Sequence, residues 1–160
     1  MTVNRVSRWN YLLLAVACAV IAATSVFAGP NENSDESARK KEDIIKTYYS
    51  GWEKKDWNIT AAVITDDYNF TSPAGDDHIP ISVFKPRCFL NQMNLIKNFQ
   101  YLSIVSHGDE AFVRYICWTT KGTSFSNVEY FRFNGDKIAS VECFFGSGAG
   151  YPVASVSGKS

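Results

Sequence analysis

The C-terminal segment 127–146 most restricts the fold that this sequence can adopt. It reads NVEYFRFNGDKIASVECFFG, with an Asn-Gly-Asp turn at 134–136. Asn-Gly supplies the positive φ angles of a tight hairpin, so the flanking residues are predicted to form paired strands. Side chains alternate between the faces of a strand, which places Glu129 on the same side as Phe131 and Phe133. A carboxylate among aromatic rings on a buried face is costly unless it is paired, protonated or functional.

The N-terminus has the pattern of a secretory signal peptide. Two arginines precede an apolar run at 11–27, and small residues occupy the positions that favour cleavage after Ala28. We therefore expect a signal peptide at 1–28 and a secreted or periplasmic mature protein. An apolar run of about 17 residues is also at the lower limit for spanning a bilayer, so an uncleaved anchor is the alternative. Lipid modification of Cys18 is disfavoured because the residues before it do not match that pattern.

The remaining chain is long enough for one domain. We expect a polar linker at 29–40, which could instead begin a helix, a domain at 41–147 and a flexible tail at 148–160. Sixteen basic and sixteen acidic residues give no net charge. This balance argues against binding of nucleic acid, and after signal cleavage against a membrane surface. No glycine-rich nucleotide motif is present, so no cofactor is predicted.

The pattern of apolar residues predicts helices first and strands later. A first helix starts near Ser34 and has one apolar face, and a second, short helix covers 57–64. A strand at 66–72 is followed by a loop at 75–87, where two prolines argue against regular structure. A third helix is expected near 89–96. The last four strands are predicted at 100–106, 110–120, 123–133 and 137–145.

This order of elements is typical of an α+β domain. We predict a strongly curved, cone-shaped antiparallel sheet with three helices from the N-terminal half packed on its concave face. A sheet and helices in this arrangement enclose a conical cavity, which is a natural site for a small molecule.

The predicted elements resemble the nuclear transport factor 2-like superfamily, which includes SnoaL-like polyketide cyclases and ketosteroid isomerases. The motifs IIKTYY, ITDDYNFTSP, GDEAFVRY and FRFNGDKI carry this resemblance over about residues 43–146. A closer similarity, carried by FTSPAGDDHI and NVEYFRFNGDKI, is to small SnoaL-like domain proteins. The resemblance implies the cone-shaped fold and its pocket. It implies no particular activity, because the fold hosts enzymes, transport factors and non-catalytic binders.

The resemblance to ketosteroid isomerases implies three site positions. Those enzymes use a tyrosine and a protonated carboxylic acid as an oxyanion hole, and an aspartate as the base. The tyrosine corresponds to Tyr48 and the acid to Glu129, whereas the base corresponds to Ser72. A serine hydroxyl cannot shuttle a proton at neutral pH without a partner base. The chain is therefore expected to keep the oxyanion half of such a site and to lack its base.

Asp77 and His78 are the candidates for a replacement base, because they lie in the predicted loop near the pocket mouth and an imidazole titrates near neutral pH. Structural interpretations stand beside the functional ones: Tyr48 could be a core tyrosine, and a register slip by one residue would turn Glu129 outward. No His/Cys cluster has zinc-like spacing, so no metal is predicted. The predicted ligand-binding residues are Tyr48, Trp52, Ser72, His78 and Glu129.

Cys88 follows Pro86 and Arg87, so its thiol could have a lowered pKa or could be a buried helix cap. Cys117 and Cys143 lie in strands that a third strand would separate, so no disulfide is expected between them.

Two classes of function fit these observations. The first is an exported binder whose conical pocket holds a small apolar or carbonyl-containing molecule. The alternative is a cofactor-free isomerase, hydratase or cyclase that uses Tyr48 and Glu129 as oxyanion donors and Asp77 or His78 as base.

A homodimer is expected through the outer face of the sheet. If Tyr115 and Cys117 point inward, then Phe112, Ile116 and Trp118 lie together on the opposite side of the same strand. An exposed apolar stripe of this kind usually marks an interface.

Overall fold

The computed structural model describes residues 32–147, with side chains from Ser34 onward. The predicted signal peptide at 1–28, Cys18 and the predicted tail at 148–160 lie outside these residues. Among the residues that are described, no helix is long and apolar enough to cross a membrane. The elements are α1 (Glu32–Lys54), α2 (Trp57–Ala62), β1 (Ile64–Ser72), β2 (Asp76–Pro80), α3 (Ile81–Phe84), a π-helical turn (Lys85–Leu90), β3 (Ile96–His107), β4 (Glu110–Thr119), β5 (Ser124–Asn134) and β6 (Lys137–Phe145).

The predicted α+β fold is confirmed: the six strands form one curved sheet in the order β2-β1-β6-β5-β4-β3. Strands β3 to β6 form the expected antiparallel meander. Strand β1 instead pairs with β6 in the parallel direction, for example Phe70 with Val141. The expectation of a purely antiparallel sheet is therefore wrong at this one junction. Because β1 and β6 are far apart in the sequence, a prediction built from consecutive hairpins does not include their pairing.

The segment 75–87 is not the predicted loop. It contains strand β2, which pairs with β1 in an antiparallel hairpin, and then α3 and the π-helical turn. Gly75, with φ 85°, closes the connection between the two strands. Pro80 is the N-cap residue of α3, and Pro86 lies near the start of the π-helical segment that continues from α3. The third helix accordingly lies earlier in the chain than the predicted 89–96.

Helix α1 packs its apolar face against the sheet. Its buried residues include Ile45, Tyr48, Tyr49 and Trp52, and the ring of Tyr48 contacts that of Phe131 at 5.7 Å between centroids. The helix begins at Glu32, so the polar segment predicted as a linker, or as a first helical turn, is helical from that residue.

Helix α2 starts at the N-cap Asp56, whose side chain accepts a hydrogen bond from the Asn58 N–H at 2.9 Å. Asp66 and Asp67 are exposed residues within β1.

Strand β5 has the predicted register. Every second side chain from Phe125 to Phe133 is buried, and this set includes Glu129. The Asn134–Asp136 turn joins β5 to β6, with Gly135 at φ 58°. The alternative register, with Glu129 on the outer face, is therefore excluded. The inner face of β5 carries the residues from which the candidate site is built.

Candidate ligand-binding cavity

A cavity of about 590 Å³ lies between the helices and the inner face of the sheet. Most of the polar side chains on its wall belong to two groups, and the second group also contains Arg87, which pairs with Asp76 but does not itself line the cavity. We call Glu129, Tyr49, Tyr115 and Asn127 the Glu129 cluster, and Ser72, Asp76 and Arg87 the Asp76 cluster. The rest of the wall is mainly aromatic and includes Tyr48, Trp52, Phe70, Phe84, Phe99 and Phe125.

Glu129 is held by two tyrosines. The Tyr49 hydroxyl donates to Oε2 at 2.7 Å and the Tyr115 hydroxyl donates to Oε1 at 2.6 Å. Tyr49 comes from α1, whereas Tyr115 comes from β4, the strand next to Glu129 in the sheet. Glu129 is buried, with only 6% of the residue exposed to solvent. The three side chains therefore join the helix to the sheet at the wall of the cavity.

The hydrogen of the Tyr115 hydroxyl has a defined direction. Asn127, opposite Tyr115 in the β4–β5 pair, donates from Nδ2 to the Tyr115 oxygen at 3.0 Å. An amide NH₂ can only donate, so the Tyr115 proton must go to Glu129. Asn127 Nδ2 also approaches the Cys143 sulfur at 3.2 Å.

Burial raises the pKa of Glu129 above its ordinary value of 4.5, and the hydrogen bonds from Tyr115 and Tyr49 partly oppose this rise. Burial likewise raises the pKa of the Tyr49 hydroxyl, with the nearby Glu129 acting in the same direction. The pKa of Tyr115 is raised for the same two reasons. Both tyrosines therefore keep their protons, and Glu129 is the group in this cluster that can change its charge.

Protonation of Glu129 changes what the cluster offers to the cavity. As a carboxylate, Glu129 accepts from both tyrosines, and neither hydroxyl proton is free. As a carboxylic acid it must donate one proton, and Tyr49 is the favoured acceptor because Tyr115 already accepts from Asn127. The proton of Tyr49, which lies on the cavity wall, can then point into the cavity.

The Tyr48 hydroxyl bonds to a residue other than Glu129. It lies 3.0 Å from the Tyr68 hydroxyl on β1, and the Tyr48 ring meets Tyr49 edge-on at 5.3 Å. Both tyrosines pack against Phe131 of β5, with ring centroids at 5.7 Å and 5.9 Å, but only the Tyr49 hydroxyl reaches Glu129. Tyr49 is the one that the sequence reading missed, and the pair of tyrosines in IIKTYY was its only signal.

The Asp76 cluster lies at the β1–β2 hairpin. The Ser72 hydroxyl donates to Asp76 Oδ2 at 2.6 Å, and Ser72 Oγ accepts from the Ala74 N–H at 3.2 Å. Arg87 Nε forms an ion pair with Asp76 Oδ1 at 2.7 Å, with an N–H direction that is off the line of a hydrogen bond. Asp76 is only 5% exposed, whereas half of the Arg87 side chain is exposed. Ser72 and Asp76 both line the cavity.

The sequence matches the family described as "SnoaL-like domain" over residues 45–141. The chain belongs to the SnoaL-like domain family. The match begins within α1 and ends in the middle of β6, so it includes every residue of both polar clusters.

Solved structures show the same fold as this SnoaL-like domain. A candidate ketosteroid isomerase from Kribbella flavida is 14% identical, with a TM-score of 0.58, over 72% of this chain and 82% of that one. AclR, a candidate hydroxylase from Streptomyces galilaeus, is 14% identical with a TM-score of 0.57, over 68% and 76% of the two chains. TerC, crystallised with polyporic acid, is 15% identical with a TM-score of 0.51, over 67% and 92%. The sequence matches no curated protein at a significant level.

Asp77 and His78 do not reach the cavity of this SnoaL-like domain, which corrects their assignment as replacement base and as ligand contact. Their side chains are 88% and 75% exposed, and the His78 ring contacts the Asp77 carboxylate at 2.5 Å. The hairpin pairs Asp76 with Ser72, so Asp76 turns inward and Asp77 outward. Of the two adjacent aspartates, Asp76 is the buried one. A loop has no regular alternation of side chains, so the prediction of a loop here could not distinguish Asp76 from Asp77.

The other predicted residues, Trp52, Ser72 and Glu129, line the cavity as expected, and Tyr48 contributes its ring. Cys88 also lines it, and burial, aided by Asp76, raises the pKa of its thiol to about 12. The suggestion of a lowered thiol pKa at Cys88 is therefore wrong. Within residues 34–147, no three His, Cys, Asp or Glu side chains are placed to hold a metal ion together.

Proposed function

We propose that this SnoaL-like domain binds a small, mostly apolar molecule whose carbonyl oxygen contacts the Glu129 cluster. The observation that carries the proposal is a buried carboxyl group held by two tyrosines at the wall of an aromatic cavity. Ligand sites in proteins typically combine an apolar wall with a few placed polar groups, in volumes of about 300–1,000 Å³. The volume of about 590 Å³ suits a flat molecule of two to four rings.

In this proposal Glu129 is neutral when the ligand is bound. The neutral acid donates to Tyr49, and Tyr49 donates to the ligand oxygen. The direction of the pKa shift at Glu129 favours this state, because burial without a cationic partner disfavours the carboxylate. A ligand that only accepts hydrogen bonds is then bound by a neutral donor in a dry site.

The test uses 6-acetyl-2-methoxynaphthalene, a flat apolar ketone, with the change in total tryptophan fluorescence, to which the cavity residue Trp52 contributes, as the readout. Glu129→Ala removes the group that orients Tyr49 and should weaken binding about tenfold, the value of one buried hydrogen bond. Glu129→Gln should keep affinity within about twofold, because its amide can donate to Tyr49 and accept from Tyr115. The control is Val128→Ala, the exposed neighbour on the same strand.

Equal affinity in Glu129→Ala and wild type, with both variants folded by circular dichroism, would exclude the Glu129 cluster as the binding point. A native mass spectrum of the protein purified from its own host tests the proposal without a chosen probe. A retained small molecule would support it and identify the ligand.

A second candidate function is a cofactor-free isomerase, hydratase or cyclase. The observation that favours it is the buried Asp76 carboxylate, which accepts a hydrogen bond from the Ser72 hydroxyl at the wall of the same cavity. Asp76 thus takes the place of Asp77 and His78 as candidate base, with Ser72 as the relay to the ligand. The likeness to a candidate ketosteroid isomerase and a candidate hydroxylase is compatible with this function.

Hydrogen exchange distinguishes the two candidates. In D₂O, a protein with a working base should accelerate deuterium incorporation into the α-carbons of 2-tetralone, a ketone small enough to place these carbons beside Ser72, as followed by NMR. Asp76→Asn should abolish the acceleration and leave binding in place. A wild-type protein that binds the ketone and exchanges no protons would identify a binder.

We further propose that the protein is exported, with a mature form that begins at Gly29. The proposal rests on the arginines, the apolar run and the small residues before the cleavage point. N-terminal sequencing of the protein recovered from the host should return Gly29. Recovery of Met1, or of a lipid-modified Cys18, would contradict export by cleavage at this position.

A further inference from the structure

We infer that the Asp76 cluster turns Ser72 into a hydrogen-bond acceptor for the ligand, so that the cavity selects molecules with a hydroxyl group at that end. The inference rests on the proposed ligand binding and adds a second contact point to it. The ligand class that follows is an apolar hydroxy ketone, with a carbonyl at the Glu129 cluster and a hydroxyl at Ser72.

A serine hydroxyl usually adapts to its partner, because its proton can rotate to donate or move aside to accept. At Ser72 this freedom is lost. The hydroxyl proton is committed to Asp76 Oδ2 at 2.6 Å, and a carboxylate offers no proton in exchange. What Ser72 presents to the cavity is therefore a lone pair.

Asp76 is fixed in this role by its second oxygen. Arg87 Nε lies 2.7 Å from Oδ1, and an Arg87 terminal nitrogen donates to the Ala74 carbonyl at 3.3 Å. Arg87 thus binds both the carboxylate and the turn that holds Ser72. The Ala74 N–H takes one of the two acceptor positions of Ser72 Oγ, at 3.2 Å. One acceptor position remains.

Ser72 is itself only 8% exposed and lies on the cavity wall. A buried lone pair that faces a ligand oxygen costs free energy, so a ligand group that donates to the remaining position is favoured over one that cannot. The two polar clusters thus complement each other: the Glu129 cluster can supply a proton to a ligand oxygen, and Ser72 can only receive one. A ligand with acceptors at both ends would leave the second lone pair of Ser72 without a donor.

The experiment compares 6-acetyl-2-naphthol with 6-acetyl-2-methoxynaphthalene, a pair with the same ring system and the same ketone. Only the naphthol can donate from its second oxygen. Wild-type protein should bind the naphthol about tenfold more tightly. Ser72→Ala should reduce the difference to about twofold, mainly by weakening the binding of the naphthol.

Asp76→Asn gives the more discriminating result, because it should reverse the hydrogen bond. The Arg87 cation favours the amide oxygen on its own side, so the amide nitrogen faces Ser72 and donates to it. The Ser72 proton is then released toward the cavity, and Ser72 becomes a donor. The preference should shift from the naphthol to the methoxy compound.

Thermal unfolding and circular dichroism show whether both variants keep the fold. A wild-type protein that binds the two compounds equally would overturn the inference, and so would a preference for the naphthol that survives in both variants. In either case Glu129-dependent binding of the methoxy compound would leave the proposed function intact. If neither compound binds, the proposed function fails and this inference fails with it.

Discussion

At the scale of single residues, the unusual group is an acid buried without a cation. Glu129 has tyrosine hydroxyls on both oxygens, and no Lys or Arg contributes to its pKa shift. Burial raises that pKa above the ordinary 4.5. The folded protein therefore releases this proton at a higher pH than the unfolded chain does. Between the two pKa values the folded state binds more protons, so the free energy of unfolding falls as pH rises through this interval.

Glu129→Gln should remove this pH dependence, because an amide does not ionise. Relative to wild type, the variant should gain free energy of unfolding as the pH is raised from about 4 to about 8, by about 1.4 kcal/mol for each unit of pKa shift. Urea unfolding at several pH values measures the difference. Glu142→Gln, an exposed position on β6, is the control and should show no such gain. A constant difference between Glu129→Gln and wild type would mean that the carboxyl group titrates normally.

The burial of Glu129 could be predicted from sequence because two local signals agreed: the Asn-Gly turn fixed the hairpin, and alternation with Phe131 and Phe133 fixed the face. Tyr49 and Asp76 could not be predicted in the same way. The choice between Tyr48 and Tyr49 depends on how α1 is rotated over the sheet, which is a matter of tertiary packing. The choice of Asp76 depends on a three-residue turn in an edge hairpin, where Pro80 suggested a loop.

At the scale of elements, the contact between α1 and α2 holds the tyrosines over the sheet. The Thr60 hydroxyl of α2 donates to the Tyr48 carbonyl at 2.9 Å, and the Asp56 N–H donates to the Gly51 carbonyl at 2.9 Å. Gly51 lets the two helices approach closely, since a Cβ at this position would lie 2.9 Å from the Thr60 nitrogen and nearer still to its hydroxyl. Glycine is therefore required at position 51 because a side chain there would clash with Thr60.

Gly51→Ala should destabilise the fold by about 2 kcal/mol, because overpacking against backbone outweighs the gain of about 1 kcal/mol in helix propensity. Chemical denaturation measures the change. Lys54→Ala, exposed near the end of the same helix, is the control and should change stability by less than about 0.5 kcal/mol. A stabilised Gly51→Ala protein would show that the helices can separate without loss of packing.

The helices and strands were predictable where the apolar periodicity extended over many residues and where paired strands were neighbours in the sequence. The β4–β5–β6 meander follows from its two short turns, and its strand bounds lie within a few residues of the expected ones. The parallel β1–β6 pair joins Phe70 to Val141 across most of the domain, and no local pattern encodes it. That pair nevertheless places β1, which ends at Ser72, in the same sheet as Glu129, with only β6 between β1 and β5.

At the scale of the whole molecule, the outer face of the sheet is apolar across several strands. Tyr115 and Cys117 point inward as expected, and on the opposite side Phe112 is 51% and Trp118 40% exposed, with Ile116 half-buried. Val105, Val128 and Phe144 extend this exposed apolar surface onto the neighbouring strands. An apolar surface of this extent, interrupted by Arg114 and Glu142, suits a self-complementary contact between two copies related by a twofold axis.

The expected oligomer is therefore a homodimer through this face. Light scattering at roughly tens of micromolar protein should give a dimer mass. Phe112→Lys places a charge at the centre of the apolar surface and should give a monomer with an unchanged fold, because the side chain is exposed in the single chain. Val83→Lys, at a 37% exposed apolar position on α3, is the matched control and should remain dimeric. A monomer mass for the wild-type protein, or a dimer that survives Phe112→Lys, would exclude the outer face as the interface.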